Sequence, residues 1–574
     1  ERAPSALPLT DAEFAPMGSV QSFEPNSSDK GASKPHPSKS LEETLVRTEA
    51  VIAKKGSIPV SGRYTCSRDL EQDYTLLDTV LGNGMNGDVL LAKGKADGRR
   101  YAVKSFQKTG LSTRSRNSLR NEVELYMHLD HPHIAHLHMV FETESAVHMV
   151  MEHLEGGELF DRLEKQERFS ESDAADSIYQ VLLAVAYLHA RKIAHRDLKL
   201  ENFIFQSKDS NLLKLIDFGL AKFWDPTTRM SQVCGSVCYL APEVLNQSYT
   251  LQADMWSVGI ISYMLLTGRP LFGGSDAEIV RHIKANKPRL SSKFFKLSNP
   301  AQSFIEALLE RSPLDRPCAA VALEHPFIKG RDVASGSHID AGIVGCLRNY
   351  AEASCFRRAA LCMMAWSLST EERLELQEQF LLLDVRKRGS IKLRELKQIL
   401  EENFNVEGSE AERLFSALDY DNSQEIEYSE FLAAALAGRV STQEDLLRRT
   451  FSRFDRNESG IVTPEELREV LGDSFDGSDI EEMIQSVDKS GDGNIAYEEF
   501  LDHFRESEQG ASGEPATPSD DEKLGTTVDR IICTAEVERG TLAQPQSCKA
   551  DTLIMPVLLG TASVPAVMAV KVEA

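Results

Sequence analysis

The segment HRDLKLEN at residues 195–202 is the most informative motif in this 574-residue chain. It supplies an acid, a base and an amide at close spacing, namely Asp197, Lys199 and Asn202. The motif IDFG follows at 216–219 and adds the carboxylate of Asp217. Each of these residues alone is common by chance, but polar side chains in this order and spacing indicate a catalytic constellation.

Residues on both sides extend the constellation. YAVK at 101–104 supplies Lys104 at strand spacing, and Glu122 lies in a helical run from which it can pair with that lysine. APE follows the catalytic motifs at 241–243. A glycine-rich segment, LGNGMNGDV, can bring its backbone close to phosphate groups. Its candidate residues are Gly82, Gly84, Gly87 and Val89.

This ordered series has the spacing of the protein-kinase signature, and residues 74–328 resemble a Ser/Thr protein kinase over the whole domain. The resemblance implies an α+β fold of two lobes, with ATP bound in the cleft between them. Lys104, fixed by Glu122, would hold the nucleotide phosphates. Asn202 and Asp217 would bind Mg²⁺.

Further roles follow from the same resemblance. Asp197 would orient the substrate hydroxyl and accept its proton, and Lys199 would steady the transferred phosphate. Met151 occupies the gatekeeper position, where a bulky side chain closes the back of the nucleotide pocket. Glu158 and Glu201 match positions that bind arginines upstream of the phosphoacceptor, which predicts protein substrates with basic residues there. In the alternative interpretation, Glu158 only caps a helix and contacts ribose.

Residues 371–506 contain a repeat with a period of about 35 residues. Four loops, at 384–395, 419–430, 455–466 and 488–499, lie between apolar-periodic helices. An EF-hand loop binds calcium through oxygens at places 1, 3, 5, 7, 9 and 12, with glycine at place 6. The repeat therefore predicts an all-α EF-hand domain; an acidic domain that binds nothing is the alternative. The expected Ca²⁺ ligands are Asp419, Asp421, Ser423, Glu425, Glu427, Glu430, Asp455, Asn457, Ser459, Ile461, Thr463, Glu466, Asp488, Ser490, Asp492, Asn494 and Glu499.

The first loop, DVRKRGSIKLRE, keeps the EF-hand frame but holds Arg386 and Arg388 at places 3 and 5. Arginine has no lone pair to donate and repels a divalent cation. Ile391 and Ile426 at place 8 would pair the first two hands, so the first hand would survive as a structural partner. The second loop has Gln424 instead of glycine, which requires an unfavourable backbone conformation and weakens binding. We therefore expect three calcium sites.

A kinase domain, a junction at 332–370 and four hands in one chain resemble a calcium-dependent protein kinase of the plant and apicomplexan kind. The resemblance covers 74–506 and implies that the junction and hands inhibit the kinase at low calcium. A calcium-sensing pseudokinase scaffold is the alternative. The junction sequence RRAAL at 357–361 resembles a substrate that lacks its hydroxyl. This pattern predicts a pseudosubstrate in the cleft or, alternatively, a plain helix outside it.

The flanking segments, 1–72 and 507–574, have the low-complexity composition typical of disorder. MGSVQS at 17–22 matches a myristoylation pattern on Gly18 if translation starts at Met17, which would add weak membrane association. The nine cysteines form no CxxC pair or Cys/His cluster in the sequence. This usage is typical of a reducing cytosol, so we expect a cytoplasmic monomer.

Charge supports a cation-binding module. The formal net charge is −24, and most of the excess acid lies in 371–510, which argues against a nucleic-acid partner. Arg196 precedes the catalytic aspartate and usually needs a negative partner from the activation segment, between the motifs IDFG and APE. Thr228 and Ser231 are therefore candidate phosphorylation sites, unless the segment needs no modification.

Overall fold

The computed structural model describes residues 63–66, 68–84, 87–110, 112–331, 339–420, 422–438 and 444–509. The predictions for the chain ends beyond these ranges, including acylation of Gly18, fall outside the described residues. So do the start of the junction at 332–338 and the expected calcium ligand Asp421. Among the described helices, none is both long and apolar enough to cross a bilayer.

The first lobe is built on a six-stranded sheet. Its strands are β1 (Tyr64–Thr65), β2 (Tyr74–Gly84), β3 (Gly87–Gly94), β4 (Arg100–Gln107), β5 (Leu137–Glu142) and β6 (Ala146–Glu152); its helices are α1 (Leu70–Asp73) and α2 (Thr113–Met127). The strand order is β1-β5-β6-β4-β3-β2, with β1 parallel to β5 and the other pairs antiparallel. Because side chains alternate along a strand, Tyr101 and Val103 of β4 enter one hydrophobic cluster, whereas Lys104 points to the opposite face.

Strand β1 lies upstream of the predicted domain boundary. Leu70 in the following helix is fully buried. Arg63 donates a hydrogen bond from Nη2 to the carbonyl oxygen of Met127 at 2.7 Å, and its guanidinium lies 4.0 Å from the ring centroid of Trp366. The predicted disorder of 1–72 is therefore wrong for residues 63–66 and 68–72. The edge of β5 supplies hydrogen-bond partners for β1, which the amino-acid composition cannot reveal.

The second lobe is mainly helical. Its elements are α3 (Leu159–Gln166), α4 (Glu171–Ala190), β7 (Ile193–Ala194), β8 (Phe203–Phe205), β9 (Leu213–Leu215), β10 (Lys222–Phe223), α5 (Pro242–Leu245), α6 (Gln252–Thr267), α7 (Asp276–Lys284), α8 (Asn299–Leu308), α9 (Ala319–Leu323) and α10 (Pro326–Lys329). Helix α4 begins where the Ser170 hydroxyl accepts a bond from the Asp173 N–H. Helix α6 ends at Gly268, whose φ is +65°. The antiparallel pairs β7–β10 and β8–β9 frame the catalytic loop.

The EF-hand module follows. Its elements are α11 (Ala341–Glu352), α12 (Cys355–Ser367), α13 (Thr370–Leu383), α14 (Leu393–Phe404), α15 (Gly408–Leu418), α16 (Tyr428–Leu436), α17 (Glu444–Phe454), β11 (Ile461–Val462), α18 (Pro464–Leu471), β12 (Ser474–Phe475), β13 (Ser478–Asp479), α19 (Ile480–Gln485), β14 (Ile495–Ala496) and α20 (Tyr497–Gln509). Ile391 and Ile426 exchange backbone hydrogen bonds of 2.9 and 2.8 Å. The predicted pairing of the first two hands is therefore confirmed, and β11–β14 pairs the last two.

Helix α12, which carries the RRAAL segment, lies inside the hydrophobic core of this module. Ala360 and Leu361 are fully buried there. Arg357 donates to the carbonyl oxygen of Phe504 at 2.9 Å, and Arg358 pairs with Asp476. The pseudosubstrate interpretation is wrong for this arrangement, because the apolar residues of the helix are covered by the hands and its arginines are bonded within the module.

Candidate active site and calcium loops

The described residues of the glycine-rich segment belong to the antiparallel strands β2 and β3. Gly84 ends one strand opposite Gly87, which begins the next. Gly87 has a φ of +136°, and a Cβ there would lie 2.9 Å from the Ser105 carbonyl oxygen. A Cβ at Gly82 would meet no heavy atom within 4 Å, which leaves space for phosphate groups. Val89 is directly opposite Lys104 in the ladder, so the predicted nucleotide residues are neighbours.

Lys104 joins three parts of the site. Its Nζ lies 2.6 Å from Oε1 of Glu122 on α2 and 2.9 Å from Oδ1 of Asp217. Burial alone would lower the pKa of Lys104, but the two carboxylates raise it above its ordinary value. Burial favours the neutral form of Asp217, yet the lysine charge lowers the pKa of this carboxyl below its ordinary value. The predicted Lys104–Glu122 pair is therefore present, and the same lysine also contacts the carboxylate of Asp217.

The catalytic loop is held by its own polar side chains. Lys199 Nζ lies 3.1 Å from Oδ2 of Asp197, and Asn202 Nδ2 donates to the Asp197 carbonyl oxygen at 2.9 Å. Asp254 at the start of α6 accepts bonds of 2.9 Å from the backbone N–H groups of His195 and Arg196. These bonds fix the backbone just before Asp197, so its carboxylate is presented at a defined position.

Ser236 is a site residue that the motif series did not reveal. Its backbone N–H and its hydroxyl donate to Oδ1 of Asp197 at 2.8 and 2.9 Å. Lys199 Nζ lies 3.4 Å from the same hydroxyl. Its only signal in the sequence is a hydroxyl-bearing residue five places before the APE motif. Ser236 therefore positions the two groups expected to act on the reacting oxygen and phosphate.

Met151 and Glu158 lie at opposite ends of the segment that connects the lobes. Met151 is a buried residue of β6, opposite Ala102 on β4 and Leu137 on β5. Glu158 is at the N-cap position of α3, but its side chain makes no capping hydrogen bond. The helix-capping alternative for this carboxylate therefore receives no support from the geometry.

Two carboxylates form an acidic patch beside the catalytic loop. Burial, together with the neighbouring carboxylates of Asp161 and Glu201, raises the pKa of Glu158 to about 7. Burial also raises the pKa of Glu201, whose Oε2 accepts a hydrogen bond from the Tyr239 hydroxyl at 3.3 Å. Against these effects, the positive charge of Lys199 lowers the pKa of both carboxyls, so a cation stabilises the charged form of these half-buried acids by relieving desolvation and mutual repulsion.

Arg196 is hydrogen-bonded to uncharged groups, one of them in the activation segment. Arg196 Nε donates to the carbonyl oxygen of Leu220 at 2.6 Å, and its Nη1 lies 3.4 Å from the Tyr249 hydroxyl. Thr228 and Ser231 are exposed. Arg196 thus already has hydrogen-bond partners, and phosphorylation of either hydroxyl stays a prediction.

The third EF-hand loop is preformed around its carboxylates. Asp455 accepts backbone bonds from Ser459 at 2.9 Å and Gly460 at 2.8 Å. Glu466 at place 12 accepts from the backbone of Asn457 at 3.2 Å. Carboxylate, hydroxyl and amide oxygens, the donors that calcium prefers, are therefore close together in this loop.

The fourth and second loops have the same arrangement at place 1. Asp488 accepts a backbone bond from Gly493 at 2.8 Å, and Asp419 accepts one from Gln424 at 3.0 Å. Gln424 has a φ of +68°, which confirms its predicted unfavourable conformation. Across the described ranges, no three His, Cys, Asp or Glu side chains are gathered closely enough to hold a metal by themselves. Calcium here would also need hydroxyl and carbonyl oxygens.

One expected ligand has a different partner. Glu427, at place 9 of the second loop, accepts a hydrogen bond from Nη2 of Arg191 in the kinase domain at 3.1 Å. Glu425, whose carbonyl oxygen is the expected ligand, also has outside partners, because its carboxylate contacts Ser390 and Lys392 of the first loop. Glu427 is therefore part of the second loop, but its carboxylate is also hydrogen-bonded to the kinase domain.

Two family models match the chain along its length. The protein kinase domain model matches residues 76–328, and the EF-hand domain pair model matches 373–436 and 444–505. The fold and the site therefore define a calcium-regulated Ser/Thr protein kinase.

Curated relatives show the same combination of domains. Calcium-dependent protein kinase 34 of Arabidopsis thaliana is 36% identical over 461 residues, which is 79% of this chain and 88% of the relative. Calcium-dependent protein kinase 7 of Oryza sativa subsp. japonica is 35% identical over 470 residues, 79% of this chain and 85% of the relative. The chain belongs to the calcium-dependent protein kinase family.

Removing the Ser236 hydroxyl should slow turnover. We expect Ser236→Ala to lower kcat about tenfold with little change in peptide KM, because a hydrogen bond to a charged group contributes about 1.5 kcal/mol. Steady-state kinetics would measure both constants. Ser236→Thr should retain kcat, and Ser262→Ala, which removes a buried hydroxyl bonded to Val258, should leave it unchanged. An unaltered kcat in Ser236→Ala would contradict the positioning role.

Shortening the gatekeeper should open the back of the pocket. We expect Met151→Gly to lower the IC50 of ATP-competitive inhibitors with a bulky substituent about tenfold or more, since each newly buried CH₂ group contributes about 0.8 kcal/mol. The comparison is the same inhibitor without the bulky group, whose IC50 should not fall. Equal sensitivity of the unmodified enzyme to the bulky inhibitor would show that Met151 does not close the pocket.

Proposed function

We propose that the chain transfers the γ-phosphate of ATP to Ser or Thr of protein substrates with upstream basic residues, and that calcium at three loops activates it. The observation that carries the proposal is Lys104 bonded at once to Glu122 and Asp217. In this proposal, Lys104 would bind the nucleotide phosphates and Asp217 would bind Mg²⁺, and the contact between them supports a shared role. This is the charge arrangement that phosphoryl transfer needs.

The residues divide the reaction between them. Asn202 and Asp217 would hold Mg²⁺, which supplies charge neutralisation on the phosphates. Asp197 accepts the proton as the substrate oxygen bonds to the γ-phosphorus and the bond to the ADP oxygen breaks. Lys199, 3.1 Å from Asp197, balances negative charge on the transferred group. Intact residues at all of these positions give the pseudokinase alternative no support.

The acidic patch of Glu158 and Glu201 supports the basic substrate class. An arginine can pair with carboxylates through two parallel hydrogen bonds, and these two carboxyls have no cationic partner of their own among the hydrogen bonds described for them. Such a peptide would pass the patch before its hydroxyl reaches Asp197. A basic residue upstream of the phosphoacceptor therefore fits the site.

Calcium control is proposed to act through α12. The three loops with oxygen at places 1, 3 and 5 would bind calcium, whereas Arg386 and Arg388 exclude it from the first loop. Since the hands form the cover of α12, a change in their shape on calcium binding would change where this helix lies. Inhibition at low calcium would follow from its release. Acylation of Gly18 would add weak membrane association to a cytoplasmic enzyme.

The stoichiometry tests the calcium assignment. We expect three ions per chain by equilibrium dialysis, and a shift of the activation midpoint to about tenfold higher free calcium in Glu466→Gln or Glu499→Gln, because each loses a bidentate ligand. Glu395→Gln in the first loop is the matched control and should leave the midpoint unchanged. Four bound ions, or the loss of a bound ion in Glu395→Gln, would show that the first loop binds calcium.

The acidic patch predicts a pH dependence of substrate binding. The pKa of Glu158 is raised to about 7, so its carboxylate is charged above pH 7 and becomes neutral as the pH falls. We expect the KM for an arginine-containing peptide to rise up to about tenfold from pH 8 to pH 6. Glu158→Gln should have a high KM without this dependence, and a peptide with alanine in place of arginine should show none. A rise in KM that persists in Glu158→Gln would assign the titration to another group.

A further inference from the structure

The first EF-hand loop holds its shape without metal-binding groups at places 3 and 5. Asp384 accepts backbone bonds from Arg388 at 3.0 Å and Gly389 at 2.7 Å. Glu395 accepts one from the backbone of Arg386 at 3.1 Å, and the guanidinium of that arginine lies 3.8 Å from the same carboxylate. The third loop makes the same backbone bonds to its acids at places 1 and 12, so the first loop keeps the EF-hand frame and differs in having an arginine beside Glu395.

The glycine of this loop is packed directly against the kinase domain. A Cβ at Gly389 would lie closer than 3.0 Å to the rings of Tyr187 and His131. These two rings are 4.8 Å apart and are both buried. The loop therefore fits against an aromatic surface of the kinase domain with no room for a larger residue.

Arg191, one turn beyond Tyr187, makes two polar contacts across the same boundary. Its Nη1 lies 3.4 Å from the carbonyl oxygen of Arg388 in the first loop. Its Nη2 donates to Glu427 in the second loop at 3.1 Å, while the guanidinium covers the Tyr187 ring at 3.9 Å. One arginine thus bonds to both of the first two hands.

Asp130 adds a third contact. Its Oδ2 accepts a hydrogen bond of 2.6 Å from the backbone N–H of Ser429, in the first turn of α16. Its own backbone N–H donates to the Tyr187 hydroxyl at 2.7 Å. A buried carboxylate at the start of a helix is favourable because it satisfies a free N–H and interacts with the helix dipole.

We propose that the metal-free first loop, together with the start of α16, is the docking site by which the EF-hand module binds the kinase domain. The kinase side of this docking surface consists of Asp130, His131, Tyr187 and Arg191. Glu427 acts in docking through Arg191 and is not needed to hold calcium in the second loop. The arginines of the first loop prevent calcium from reshaping a surface that must stay constant. The inference concerns the module contact and does not depend on phosphoryl transfer.

The test compares two glycines in the full-length chain at saturating calcium. Gly389→Ala places a methyl group against Tyr187 and His131, whereas Gly477→Ala has the same sign of φ, +79°, and nothing within 4 Å. Hydrogen–deuterium exchange of segments 186–192 and 386–392 reports docking, since undocking exposes both. We expect Gly389→Ala to speed exchange in both segments about tenfold or more, with no change in Gly477→Ala. Equal effects of the two variants, or no effect of Gly389→Ala, would overturn the proposal.

A second experiment tests the role of Glu427. Arg191→Ala and Glu427→Gln should each speed exchange in segment 186–192, and the double variant should show no more than the larger single effect, because the residues act as one pair. Equilibrium dialysis should count the same number of ions in Glu427→Gln as in the unmodified chain. Fully additive effects, or the loss of one ion in Glu427→Gln, would refute the docking role of this carboxylate.

Discussion

Lys104 carries a positive charge into the interior of the kinase domain. Removing this charge from water is unfavourable unless a negative charge neutralises it. Two carboxylates neutralise it, one on α2 and one just after β9. Since the lysine itself is on β4, the sheet, the helix and the metal-binding segment are held in one arrangement by a single cation. Removing one partner of a buried pair costs about 3–5 kcal/mol, so this alignment of the cleft is strongly favoured over one in which α2 moves away.

The EF-hand module is organised mainly by burial of the apolar residues of α12. Phe356, Leu361 and Met364 of α12 are buried among the hands, and at the far end of the helix Trp366 stacks on His136 of the kinase domain at 4.9 Å. The junction is thus part of the module core and also part of its contact with the first lobe. A change in the hands therefore reaches the kinase domain through a helix that both of them cover.

Much of this architecture can be predicted from sequence because its chemistry requires fixed spacing. Lysine, glutamate and the two aspartates of the cleft occur in motifs whose order defines the two-lobed fold, and Gln424 adopts the conformation that its place in the loop demands. Ser236 and the partner of Glu427 could not be predicted in this way. A hydroxyl near a motif is common, and an ion pair between residues 236 positions apart depends on how two domains pack, which no local pattern records. The burial of RRAAL likewise depends on the cover that the hands provide.

Strand β1 determines where the catalytic domain can be cut. Its two residues occupy the outer edge of the six-stranded sheet, next to β5, and an uncovered edge of this kind presents free N–H and C=O groups that recruit strands from other molecules. A recombinant fragment that began at residue 76, where the family match starts, would keep the whole cleft but lose β1 and the bond from Arg63 to the end of α2. Such a fragment would self-associate through the exposed β5 edge. Aggregation, and not the loss of catalytic residues, would then limit its use. A soluble kinase-domain fragment should therefore begin upstream of Arg63, because β1 is needed to cover the β5 edge.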